Sequence, residues 1–389
     1  MTALERRASL SLASIFALRM LGLFLVLPVF ALEAAKFPGG DDPARVGLAM
    51  GIYGLTQALL QIPLGVASDR WGRKPVILWG LALFAAGSGV AAWAPDLNTL
   101  IAGRALQGAG AISAAVTAFV ADVTRDSVRT KAMALVGIGI ALMFAFSLVF
   151  SSVLAAAVGL SGLFALTSCF ALLGMAVVAW VVPPEPAQQV DAGRSGLRDV
   201  LQHAGLLRLN WGVFVLHAVQ LAMWVAVPGL LVQAGLPKEA HWQVYLPAVV
   251  LSFLVMGGAL FRLERKGYLR AVFLLAIGLL VSVQALFGFS AANHAPVGWL
   301  GFALFVFFVG FNTLEASQPS LVSRLAPAHA RGAALGVYNT LQSVGFFVGG
   351  AAGGWLVSHL GAQGLFAACA VLTLVWLAVA WPMQVPVAK

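Results

Sequence analysis

Charge is scarce in this sequence. Only 10% of its 389 residues are charged, against about 25% in soluble globular proteins. With 61% hydrophobic residues and a mean hydropathy of +0.95, a soluble fold is excluded. Cysteine is nearly absent: Cys169 and Cys369 both sit in apolar runs, so neither a disulfide framework nor a thiolate metal set follows. No His, Cys and carboxylate group has metal spacing, and no G-x-x-x-x-G-K-[ST] loop points to ATP. "GAGA" at 108–111 falls inside an apolar run and reads as a packing feature of one membrane helix. No catalytic set or cofactor is expected, and no enzyme. Ten-residue alternation is also missing, which argues against a transmembrane barrel.

What is present is a series of apolar runs of bilayer-crossing length. Twelve spans are expected, near 9–32, 44–67, 75–94, 97–121, 132–157, 160–182, 208–233, 242–261, 269–290, 297–321, 332–357 and 363–382. The first is too long for a secretory signal, holds Arg19 and lacks a clear cleavage site, so it reads as a retained helix. The fold class is an all-α membrane protein with twelve transmembrane helices in two six-helix bundles.

The basic residues orient these spans. With both termini cytoplasmic, the inner loops and tails hold eighteen of the 23 Lys and Arg, and the outer loops only Lys36, Arg45 and Lys238. That satisfies the positive-inside rule and points to a bacterial-type inner membrane. The net charge of +9 is therefore a topology signal and a contact with anionic lipid, not a nucleic-acid footprint. Most tryptophans lie near span ends and read as interfacial anchors.

The two halves echo one another. "GLFA" at 162–165 recurs at 364–367, and Arg129 and Arg331 share that offset of 202. "DRWG" at 69–72 is weakly matched by "ERKG" at 264–267. The longest polar stretch, 183–207, opens with "PPEP" and reads as a cytoplasmic linker with room for a short helix. This gives a bundle over 1–182, the linker, and a bundle over 208–389. Parallel repeats imply an axis along the membrane normal, with substrate near the midplane.

One passage stands out: "GVASDRWGRKPVIL" at 65–78 packs Asp69, Arg70, Arg73 and Lys74 between apolar spans. It resembles the loop signature G-x-L-A-D-R-x-G-R-K of the major facilitator superfamily at Gly65, Asp69, Arg70, Gly72, Arg73 and Lys74, with Ala67 and Ser68 in place of the Leu-Ala pair. "LIAGRALQGAGA" at 100–111 resembles the fourth-helix signature of that superfamily's proton antiporters. "RMLGLFLVLPVF" in the first span is similar to the YajR-type branch of drug/proton antiporters. So is "FNTLEASQPSLVSRLAPAHARGAALGVYNTLQSVGFFVGGAAGG" in the tenth and eleventh. Two departures stand against it. Ser151-Ser152 replaces the Gly-Pro pair late in the fifth span, and a tail from Pro382 to Lys389 stands where some members carry a soluble domain.

The resemblance implies a latch. Asp69 is expected at the start of the eleventh helix, near Arg331, whose first N–H groups lack partners. Arg73 is expected to pair with Asp122. Against this stands a solvated basic loop that only sets topology. Arg104 reads either as a buried cation answering a protonated carboxylate or as a packing hub, and Arg19 divides in the same way. Glu33, Glu315 and His217 are the candidate proton carriers, with a structural alternative for Glu315 and His217. Pocket candidates are Tyr53, Gln57, Gln61, Gln107, Phe144, His217, Gln220, Trp224, Asn312, Tyr338, Asn339 and Gln342. This mixture of amides and aromatics suits an amphipathic molecule.

Three functions remain open. The first is a proton-coupled exporter of small amphipathic compounds. The second is a facilitator or importer of a polar metabolite such as a sugar. The third is a non-transporting receptor or lipid-interacting protein. Expected partners are a small-molecule substrate, protons and the lipid bilayer. No nucleic acid is expected, and the chain is read as a monomer.

Overall fold

The computed structural model describes residues 1–185, 196–327 and 330–383. Much of the expected linker and nearly all of the tail lie outside these. The described residues are helical, with ten helices or helix pairs long and apolar enough to cross a membrane.

The chain divides into two compact units. The first holds Met1–Asp41 and Ile52–Gly193 and the second holds Asp42–Gly51 and Arg194–Lys389. The first unit contains α1 (Ala3–Ala34), most of α2 (Pro43–Trp71), α3 (Arg73–Ala92), α4 (Leu97–Ala109), α5 (Ser113–Asp122) and α6 (Asp126–Trp180). The second contains α7 (Leu197–Gln202), α8 (Ala204–Gln233), α9 (Trp242–Val255), α10 (Phe261–Leu263), α11 (Leu269–Asn293), α12 (Val297–Leu325) and α13 (Arg331–Ala380). π-helical turns at Met256–Leu260 and Glu264–Tyr268 flank α10.

Local chemistry explains several ends. Thr2 and Glu5 form a reciprocal capping box on α1, which satisfies two donors that a helix start leaves free. Asp96 caps α4 by accepting the N–H of Thr99. α6 and α13 are each about twice the length a bilayer needs. Each is broken once, at Gly159 (φ 67°, ψ −177°) and at Gly361 (φ 68°, ψ −179°), 202 positions apart. Only glycine adopts that backbone without strain. The spans expected at 132–157 and 160–182 therefore join at a glycine, as do those at 332–357 and 363–382.

The span expected at 97–121 needs correction, because helix stops at Ala109 and resumes at Ser113. "GAGA" thus opens a break as well as packing closely. A Cβ on Gly110 would lie 2.3 Å from the Gly80 carbonyl oxygen, so the chain there is shaped by backbone contact. Hydropathy does not register such a break.

The first unit's core joins Leu12, Phe16, Ile77, Leu81, Val116, Phe119 and Val178. Its main helix pair is α1 with α6; in the second unit α8 pairs in the same way with α13. Leu59, Leu142, Leu172, Leu254 and Val371 are exposed. Such a surface is a liability in water and suits lipid, where every helix satisfies its own backbone. Trp71, Trp93, Trp180 and Trp381 are exposed at helix ends.

Candidate functional site

The charged loop is a compact network. α2 and α3 meet at Gly72, whose φ of 97° suits glycine alone. Arg73 Nε donates to Asp122 Oδ2 at 2.8 Å and its Nη1 to Ser68 Oγ at 2.7 Å. It also pairs with Asp69 one turn back. The expected Arg73–Asp122 pair is present, and Asp69 pairs with the same arginine. Gly65 faces Ala114, where a Cβ would make an ordinary contact of 3.4 Å with Ala114 Cβ. Arg70 is exposed, and Arg331 is exposed at the start of α13 in the second unit.

Sequence reasoning missed Glu185. Its Oε2 accepts the Arg73 N–H at 2.8 Å and its Oε1 the Lys74 N–H at 2.6 Å. The Lys74 ammonium donates to the Val182 carbonyl at 2.7 Å. A carboxylate thus caps α3 and meets its positive end. The only hint was "PPEP", a carboxylate fixed between prolines.

Two cations lie inside the first unit. Arg19, 1% exposed, donates to Tyr53 Oη at 2.7 Å, Gln57 Oε1 at 3.0 Å and Ser113 Oγ at 3.2 Å. Its guanidinium stands 5.3 Å from the Phe84 ring. Arg104 donates to Gln107 Oε1 and stands 5.0 Å from the Tyr53 ring and 5.7 Å from that of Phe30. Tyr53 therefore meets both, by its hydroxyl and by its ring. Gln107 Nε2 donates to Ser88 Oγ at 2.8 Å. Phe144 packs edge-on against Phe24 at 5.0 Å. Glu33 stands 2.8 Å from Lys36, on a cavity of about 300 Å³ beside Pro38, Gly159 and Ser161.

The second unit brings together three predicted residues. His217, 2% exposed, has Nδ1 2.9 Å from the Val213 carbonyl; a carbonyl only accepts, so Nδ1 carries a proton. Its Nε2 lies 2.7 Å from Gln342 Nε2 and 3.3 Å from Glu315 Oε2. That carboxylate oxygen is buried and not aligned as a hydrogen bond. The ring stands edge-on to Phe346 at 4.9 Å and Phe311 at 6.0 Å. Two arrangements fit these positions. A neutral imidazole accepts from the Gln342 amide beside an ionised Glu315. An imidazolium donates toward an ionised Glu315, with the amide turned over. One proton changes every partner in the cluster.

The other pocket candidates of this unit are spread more widely. Asn312 donates to Ser252 Oγ at 3.0 Å. Trp224 is fully buried edge-on to Tyr245, 5.5 Å away. Gln220 and Tyr338 are buried, and Asn339 is half-buried.

Membrane-length helices that bury two cations and a histidine beside a carboxylate define a multi-pass membrane protein of the transporter class. The sequence pattern of the Major Facilitator Superfamily matches residues 12–350 and 316–388, and the chain belongs to that family. Its relatives are transporters, and it is not an enzyme. It is 42% identical to the inner membrane transport protein YajR of Escherichia coli (strain K12), over 99% of this chain and 85% of YajR. Multidrug resistance protein MdtH of Aeromonas salmonicida (strain A449) is 28% identical, over 89% of this chain and 86% of MdtH. Among solved structures, a D-xylose-proton symporter shares the fold with a TM-score of 0.77 at 15% identity, covering 97% and 98% of the two chains.

Proposed function

We propose that this protein is a proton-coupled exporter of small amphipathic compounds. It works by alternating access in a bacterial inner membrane, with both termini cytoplasmic. The carrying observation is the buried His217 held 3.3 Å from a half-buried Glu315, a pair whose arrangement depends on one proton. Likeness to a multidrug resistance protein supports export, and likeness to YajR supports the branch. The matched breaks at Gly159 and Gly361 and the recurring α1–α6 and α8–α13 pairings support twelve spans in two repeated bundles. Arg104 couples proton and substrate in this reading, and Asp69 belongs to a latch that holds one state of the cycle.

In an exchanger each ligand favours a different conformational state. Reconstituted protein should therefore move an amphipathic dye faster when a pH gradient is imposed. Equal flux with and without the gradient would replace this reading with that of a facilitator. Ser151 and Ser152 favour that second reading: both hydroxyls are buried without a partner, where proton antiporters of this type carry Gly-Pro.

A further inference from the structure

Arg19 is a cation short of a counter-charge. It is 1% exposed, and its three hydrogen bonds all go to neutral oxygens, of Tyr53, Gln57 and Ser113. Its Nε–H is buried without a partner, and among the described residues no carboxylate pairs with it. Burying a charge is costly unless something compensates it, and a residue retained at that cost inside a membrane protein is a functional group by default.

Two neighbouring features carry the same polarity. Arg19 reaches Ser113, the first residue of α5. α5 begins inside a predicted membrane span, after the break at 110–112, so its first N–H groups lack carbonyls one turn back. A half-helix start of this kind presents positive partial charge at membrane depth. Gln61, 1% exposed, has both amide atoms buried without partners. It follows Gln57 by one turn on the same face of α2. Its place beside the break follows from the contacts around it. A Cβ on Gly108 would meet the Tyr53 carbonyl oxygen, and one on Gly65 would meet Ala114, so the stretch of α2 from 53 to 65, which holds Gln61, packs against the chain from 108 to 114.

We infer that Arg19, Gln61 and the start of α5 take the anionic group of the transported molecule, so that the substrate class is small amphipathic organic anions, carboxylates or sulfonates. The guanidinium supplies charge and a directed N–H, and the Gln61 amide a second donor. The inference rests on the reading of this protein as a small-molecule transporter, and it adds which end of the substrate is recognised.

The test is binding to the purified full-length protein in detergent at pH 7, with three probes that share one ring system: 2-naphthoate, 2-naphthamide and 2-naphthylmethylammonium. Wild type should bind the anion at least about tenfold more tightly than the amide or the cation, the scale of a charged hydrogen bond. Arg19→Gln should reduce that preference to within about threefold. Gln61→Leu, which keeps the charge and adds no cavity, should weaken naphthoate selectively and serves if Arg19→Gln does not fold. The inference is overturned if no probe binds wild type, if the amide or cation binds as well as the anion, or if the preference survives both substitutions. These measurements need no gradient, so a failure of proton coupling in liposomes leaves them standing. Gradient-driven flux of a neutral dye without anion preference would sink this inference alone.

Discussion

Glu185 and Lys74 are joined across 111 positions of sequence by a bond of 2.6 Å, from the Lys74 backbone N–H to a carboxylate oxygen. The other oxygen takes the Arg73 N–H. Capping residues of this kind contribute about 1 kcal/mol. Glu185→Ala should lower the thermal unfolding midpoint in detergent, and Glu185→Gln, which keeps one acceptor, should lower it less. Equal midpoints for all three proteins would show that the cap carries no stability.

Arg73 holds Asp69 and Asp122 at once. Asp69→Asn removes the exposed charge and leaves the Asp122 pair, so insertion and folding should be intact while transport falls several-fold. Asp122→Asn should cost stability as well, because it strips a half-buried arginine of its other carboxylate. Dye flux in liposomes and thermal unfolding, measured together, separate the two. Normal flux in Asp69→Asn would remove the latch.

The His217–Glu315 pair sets the expected pH response. With His217→Ala or Glu315→Gln one proton no longer rearranges the cluster. The variants should retain some flux with a flatter dependence on pH than wild type. Flux profiles from pH 5.5 to 8.5 in the same liposomes check this, and parallel profiles would contradict it.

Arg104 stacks on Tyr53 and Phe30 by its planar guanidinium, a contact lysine does not reproduce. Arg104→Ala should abolish gradient-driven flux with the fold retained. Arg104→Lys should recover less than about a tenth of it. Full recovery by lysine would reduce the residue to a point charge.

Sequence made the helices, their polarity and the family loop legible, because hydropathy, basic loops and local spacing are all short-range. It also exposed His217, Glu315 and Arg19 as costly residue types, without saying which would meet. The His217–Gln342 contact spans 125 positions and the Arg19–Ser113 contact 94, and single-sequence periodicity carries nothing over such distances. The break at 110–112 stayed hidden for another reason. Its residues are small and apolar like the helix around them, and only the close approach of Gly80 gives it away.

The glycine turns at Gly159 and Gly361 also bear on how this protein is handled. Helix runs up to each glycine and resumes directly after it, so neither turn has slack chain. A protease needs an extended stretch to grip, and an epitope tag needs room to protrude. At these two corners there is neither. Nicks and tags will be accommodated at other connections, and each helix hairpin will survive digestion as one uncut piece.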